Sequence, residues 1–365
     1  MAQLLTTTVH GVLDPLTGTR SDIRWRSDGT MASSAEQLDS SQRAINGESL
    51  WLIPPLYDAD AHLNLDVGIR RLDSLRALAG GIAQMNVAVP WELTEALGLA
   101  ALTAELEAET FPRMIPLLSV SPDADTTGFA AWIKANAARF GNILPRLCKL
   151  YSYDLNFDRN IEALWRNDIK PVVWCRTPED LDHVVGLAGN QPIHLRHATS
   201  AAMIATMRRA GAATVQTSPH FLLELQQASE TLTVWPPVPG GDARRSLVDG
   251  ARDEIDMIAS DHNPLPFSGP VTGPGLQSQQ QMLSALLHLV DHNGWTLPDL
   301  LSLARDAPAR IFGTPAPDGF LLVDPEAEAI VAPWPGQPPD RAPYAGLTLK
   351  GRVLAVSNGT RIVLV

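Results

Sequence analysis

The run Asp58-Ala59-Asp60-Ala61-His62 sets two carboxylates and an imidazole at alternate positions. On an extended backbone Asp60 and His62 point to the same side and can grip one cation. Further along stand Lys149, Cys175, the spaced pair His194 and His197, then His220, then Asp261 beside His262. Carboxylate, imidazole and thiolate are ordinary metal ligands; of these types only unmodified lysine is not. Each residue also has a plain structural use. A lone histidine at a strand end more often makes a hydrogen bond, and Cys175 is a small buried hydrophobe by default. Asp261 could cap a loop, and Lys149 could be half of a buried ion pair. The ordered set carries the weight: six strand ends of one fold bear ligand-competent side chains, which favours a site.

Those positions matter only if the elements bring them together. From about residue 50 to about 312, short apolar runs alternate with amphipathic helical patterns, the signature of a parallel α/β fold. Eight strands are predicted, at Leu50–Leu56, Ile82–Val89, Met114–Val120, Leu147–Tyr151, Pro171–Trp174, Ile193–His197, Thr214–Thr217 and Ile255–Ser260. The first helix is expected over Asp66–Ala79, with Asp66 as N-cap and Gly80-Gly81 as the stop. Eight β/α repeats fit a closed (β/α)₈ TIM barrel, in which functional groups collect at the carboxyl ends of the strands. No glycine-rich phosphate turn follows the first strand, so a dinucleotide fold loses its main support. The flanks read as β structure, and the expectation is a small β domain from residues 1–53 plus 318–365 around a barrel of 54–317.

Composition narrows the class. The 365 residues are 45% hydrophobic and 19% charged, enough for one large core. A net charge of −12 argues against nucleic acid or anionic membranes as partners. No window reaches the length of apolar sequence that spans a bilayer. The first fifteen residues do not read as a targeting signal, so a cytoplasmic location is expected, with Cys148 and Cys175 as free thiols. Lysine is scarce, at positions 134, 149, 170 and 350 only, so Lys149 on a buried strand stands out.

Taken in order, Asp-x-His, Lys-Leu-Tyr, Cys-Arg-Thr, His-Leu-Arg-His-Ala-Thr-Ser, Thr-Ser-Pro-His-Phe-Leu-Leu and Ala-Ser-Asp-His-Asn-Pro resemble the cyclic amidohydrolases. Among these the pattern is most similar to dihydroorotase, especially the form within the animal multifunctional pyrimidine-synthesis protein. The resemblance runs from about residue 52 to 313, and the segment 343–352 also resembles the family's closing strands. It implies zinc, one or two ions, bridged by a carbamate on Lys149. It also implies metal binding by Asp60, His62, Cys175, His197 and Asp261, with Asp261 as the catalytic proton shuttle. Two such ions would lower the pKa of a bound water and polarise an amide carbonyl.

This chain departs from the pattern in instructive places. Where the family carries His-x-His-x-Arg, the frame here is Asp60-x-His62-x-Asn64, and Cys175 stands for a histidine. Both changed ligands keep a capacity to bind metal. The arginine and asparagine that hold a substrate carboxylate become Asn64 and Trp91, and a family histidine becomes Leu265. With that clamp gone, ordinary dihydroorotate is disfavoured. Asn64, Trp91, His220, His262 and Leu265 are the expected substrate contacts, with Trp91 offering a stacking face.

Two functions follow. The first is a metal-dependent hydrolase, or reverse cyclase, acting on a C–N bond of a small cyclic amide. The second is an inactive dihydroorotase homologue with a structural role, partnering aspartate transcarbamoylase. The partner under the first reading is a small molecule, with a homo-oligomer left open. The retained Lys149, His197 and Asp261 lean towards the enzyme. A variant of the first keeps a single cation on Asp60, His62 and Asp261, with Lys149 unmodified.

Overall fold

The computed structural model describes residues 5–33, 42–62, 67–92, 98–108, 111–120, 126–227, 229–263 and 274–365. Strands β1 (Thr6–Leu13), β2 (Arg20–Arg26), β3 (Gln42–Asn46) and β4 (Trp51–Ile53) come first. Pro54 and Pro55 follow, and neither has an N–H for a ladder. The expected first barrel strand, Leu50–Leu56, is therefore split. Its front half stays with the terminal sheet as β4, and β5 (Leu56–His62) begins the barrel six residues later. Asp60 and His62 thus lie within a strand rather than after one.

The barrel continues with β6 (Ile82–Pro90), β7 (Arg113–Ser119), β8 (Leu147–Tyr151), β9 (Lys170–Trp174), β10 (Ile193–Leu195), β11 (Ala213–Thr217) and β12 (Met257–Ile258). These eight strands pair in sequence order, and the pairs are parallel. The ends meet where Ala61 bridges His262 in parallel and the His62 N–H donates to the His262 carbonyl at 3.0 Å. A parallel sheet covered by helices buries both faces, which explains why β6 is buried over all but its last residue. β12 is shorter than the predicted Ile255–Ser260, and beyond it the backbone turns into a left-handed conformation at Asp261, φ +55°.

Local chemistry sets the helices. Thr177 caps the helix Pro178–Ala188, accepting from the Asp180 N–H while the Asp180 side chain returns to the cap, with Pro178 in the first turn. Ser200 caps Ala201–Met207 in the same way through the Met203 N–H. The first helix, Val67–Ala79, stops at Gly80, where a Cβ would sit 1.8 Å from the Gln279 carbonyl oxygen. The expected N-cap Asp66 lies outside the described residues. None of the described helices is long and apolar enough to cross a membrane.

After the barrel, β13 (Phe320–Ile330), β14 (Thr348–Ser357) and β15 (Ile362–Leu364) return to the first four strands. The sheet order is β15-β14-β13-β4-β1-β2, with β3 beside β1. Val9, Val12, Ile23, Trp25, Leu322 and Ala355 form its own apolar core. Within the flank that reads as β structure, β13 is one continuous strand, interrupted by a register shift between Asp324 and Glu328.

Candidate functional site

Asp60 lies at the centre of the barrel mouth, with 2% of its surface exposed. Its Oδ1 accepts from Lys149 Nζ at 2.8 Å and from Arg196 Nη1 at 2.7 Å. Its Oδ2 accepts from the same Arg196 nitrogen at 2.7 Å and from Gln216 Nε2 at 2.8 Å. A carboxylate has about four lone-pair sites, and these donors fill them. Burial alone would raise the Asp60 pKa, but Arg196, then Lys149 and His197, hold it well below the usual carboxylate range. Lys149 is fully buried, which lowers its pKa; Arg196 adds to that and Asp60 opposes it.

The expected pairing of Asp60 with His62 is visible: both reach one ammonium, His62 Nε2 lying 3.3 Å from Lys149 Nζ. Burial, and then Lys149, hold His62 well below its ordinary pKa, so it is a neutral acceptor. Beneath Asp60, His194 Nε2 lies 3.0 Å from Gln216 Oε1 and His194 Nδ1 lies 2.8 Å from Thr214 Oγ1. The arrangement that satisfies all members puts the His194 proton on Nε2, leaving the Gln216 amide to donate to Asp60. His194 is thus a buried support, its pKa lowered to about 4 by burial.

A second cluster faces the first. His197 Nε2 is 3.6 Å from Asp261 Oδ1 and 3.9 Å from Asp60 Oδ2, both too long for hydrogen bonds. His220 Nε2 is 3.8 Å from Asp261 Oδ2. His197 Nδ1 and both His220 ring nitrogens are buried without a hydrogen-bond partner among the described residues. His197 and Asp261 have φ of +60° and +55°, a conformation that costs a side-chain-bearing residue energy and gathers at functional sites. Burial, then the Asp60 charge, raise the Asp261 pKa well above its ordinary value. Burial lowers that of His220 to about 3.

Among the described residues, the ligand-competent atoms lying within 4.8 Å of one another belong to Asp60, His197 and Asp261. That set has the atom types for one divalent cation. It does not fit two. The acceptor sites of Asp60 are taken, and an added cation would join Lys149 and Arg196 in a buried space where Asp60 is the carboxylate that pairs with both. Cys175 is not in the set. Its thiol is 4% exposed and pushed up to about 12, first by burial, so it is a poor source of thiolate.

The expected substrate contacts separate. His220 adjoins Asp261, as above. Trp91 packs edge-on against Phe129 and Trp132, with ring centroids 5.6 and 6.3 Å away, in the layer outside the barrel rather than in the pocket. His262 is a closure residue: its Nδ1 accepts from the Ser278 N–H at 3.3 Å and its Nε2 faces Asp73 at 3.6 Å. Asn64 and Leu265 lie outside the described residues. The cavity over the two clusters, about 170 Å³, is walled instead by Tyr151, Tyr153, Trp174, Trp235 and Asn263. Arg196 lies under Tyr151, its guanidinium carbon 5.9 Å from the ring centroid. Such a volume holds a single small ring, since pockets for drug-sized ligands run from about 300 Å³ upward. The sequence held one usable signal: strand alternation puts His194 and Arg196, and likewise Thr214 and Gln216, on one face.

An eight-stranded parallel barrel with polar groups at its carboxyl ends, beside a sheet built from both termini, is the architecture of the cyclic amidohydrolases. The solved structure of a D-hydantoinase matches it with TM-score 0.74 over 98% of this chain and 95% of that one, at 15% identity. The dihydroorotase of Campylobacter jejuni matches with TM-score 0.61 over 83% and 96%, at 17% identity. An inactive dihydroorotase-like domain from the multifunctional protein of Chaetomium thermophilum gives TM-score 0.61 over 84% and 92%, at 15% identity. No protein-family model matches the chain. By sequence it is 25% identical to the dihydroorotase of Chlorobaculum tepidum over 224 residues, covering 54% of this chain and 50% of that protein. It is 31% identical to that of Pyrobaculum aerophilum over 180 residues, covering 47% and 46%. The chain spans about half the length of the curated relatives it matches. It is a dihydroorotase-like protein with the cyclic amidohydrolase fold.

Proposed function

We propose that this barrel binds a small cyclic amide at its mouth without the two-metal hydrolytic centre, so that it is a dihydroorotase-like binding protein rather than a dihydroorotase. The observation that carries this reading is the saturation of Asp60. Lys149 and Arg196 occupy the acceptor sites of a residue that the resemblance makes a metal ligand, and Lys149 Nζ lies 2.8 Å from the carboxylate it pairs with. A carbamate on Lys149 would turn that attraction into repulsion. The inner cavity, walled by aromatic rings and ended by the hydrogen-bonding groups of His197 and Asp261, suits a flat ring with polar edges. The Chaetomium domain, described as inactive, is a precedent for such a barrel. Partnership with aspartate transcarbamoylase belongs to the same reading, as the structural role such a protein would serve.

A second reading is favoured by one observation of its own. His197 and Asp261 are held at positive φ facing each other, with His220 unpartnered beside them. One cation held by Asp261, His197 Nε2 and His220 Nε2 would use the atoms that face one another here, and a hydrolase with Asp261 as its proton carrier would follow.

Metal analysis of protein purified without chelators, joined to a turnover screen of cyclic ureas, imides and lactams, separates the two. The first reading expects less than about half an equivalent of divalent metal, and no turnover on adding zinc and bicarbonate. One or two bound equivalents with turnover that Asp261→Asn abolishes would overturn it in favour of the second.

A further inference from the structure

A wider chamber of about 670 Å³ adjoins the inner cavity. Both are lined by Tyr153, Trp174, Val234, Trp235 and Pro274, so the two lie side by side in one cleft region, the inner one bounded by Asp261 and His197. Arg176 lies in the outer chamber, two residues beyond the end of β9. Its guanidinium carbon is 5.5 Å from the Tyr153 ring centroid and 5.9 Å from that of Trp235. Both rings lie within the range at which a ring face attracts a guanidinium, and the arginine itself is exposed. Its planar N–H fork is the group that recognises a carboxylate.

Arg176 makes no ion pair with any described residue. The other arginine lining this cleft differs: Arg196 pairs with Asp60. Glu230 lines the same chamber, but it is exposed and not within ion-pair distance of Arg176. Trp235 is 43% exposed and offers a ring face at the edge of the chamber. In a chain of net charge −12, an aromatic-braced arginine with no acidic partner is a local exception to the field.

We propose that the outer chamber is an anion subsite, and that the ligand is a small cyclic amide carrying a carboxylate arm, its ring in the inner cavity and its charge on Arg176. This rests on the reading of the inner cavity as a cyclic-amide site. It places the charge contact on the loop after β9, whereas the strand-one position now occupied by Asn64 no longer supplies an arginine.

The test is calorimetric titration with 5-(2-carboxyethyl)hydantoin and with 5-propylhydantoin, which share the ring and differ in the charge of the arm. The carboxylate ligand should bind about tenfold more tightly at low salt, with the preference shrinking as ionic strength rises. Arg176→Met should bring the ratio close to one, and Arg176→Lys should restore part of it. Equal affinities in the unmodified protein, or a preference that survives Arg176→Met, would overturn the subsite and leave the inner cavity standing. Failure of both ligands to bind would overturn both.

Discussion

Replacing Asp60 by asparagine changes no volume and removes the one charge that holds Lys149 and Arg196 together. The ammonium is fully buried and the guanidinium nearly so, and both donate to Asp60 within 2.8 Å. Asparagine offers one acceptor and turns an NH₂ group towards one of the two cations. Breaking a buried pair from one side costs about 3–5 kcal/mol, because the remaining charge is stranded. Here two charges are stranded, so the upper part of that range is expected. Arg196→Met should cost less, since Asp60 keeps Lys149 and Gln216. The double variant should be more stable than the sum of the two singles implies, by about 1–3 kcal/mol, because the asparagine then faces one cation instead of two. Urea unfolding followed by tryptophan fluorescence in EDTA-containing buffer gives all four corners of the cycle. The unmodified protein should have the same stability with and without EDTA. An Asp60→Asn cost below about 1 kcal/mol, or strict additivity, would refute the ion-pair account. So would EDTA destabilising the unmodified protein as much as the substitution does, for Asp60 would then be a metal ligand.

Two other predictions follow from the same pocket. The folded pKa of Asp261 is raised, so the protein is spared any penalty below the unfolded value of about 3.9 and loses stability as pH climbs through the folded value. Asp261→Asn removes that dependence, and asparagine also tolerates the left-handed backbone; its advantage in thermal melting should therefore be larger at pH 8 than at pH 5. An equal gap at both pH values would contradict the raised pKa. Cys175, buried and pushed up to about 12, should react with a thiol reagent at pH 8 only after denaturation; fast labelling of the native protein would mean that the thiol is exposed or activated.

How far the sequence could be read depended on whether the signal lay in pattern or in direction. The barrel was legible because a parallel strand buried on both faces must be a short apolar run, and most of those runs ended where predicted. The first strand was misplaced because Leu50–Leu56 is apolar while Leu56–His62 carries two aspartates and a histidine. Buried polar residues look like a loop in sequence, and only their partners across the barrel reveal that they are satisfied. Trp91 failed for a related reason. Its position after the second strand suggested the pocket, yet the ring turns outward to Phe129 and Trp132.

Arg196 shows what the altered ligands mean. Read singly, an aspartate in place of a histidine on strand one is a change from one metal ligand to another. A neutral imidazole at residue 60 would leave the Lys149 ammonium and the Arg196 guanidinium side by side with no counter-charge. With Arg196 in the same space, aspartate supplies a carboxylate that pairs with both cations, which a neutral imidazole would not. Asp60 and Arg196 therefore act as one unit, and Gln216, held by His194, takes the acceptor site that remains. The strain at His197 and Asp261 lies outside this network, on the wall that faces the cavity. Those two residues line the cavity without a hydrogen bond to each other, while Asp60 is paired with Lys149 and with Arg196 Nη1.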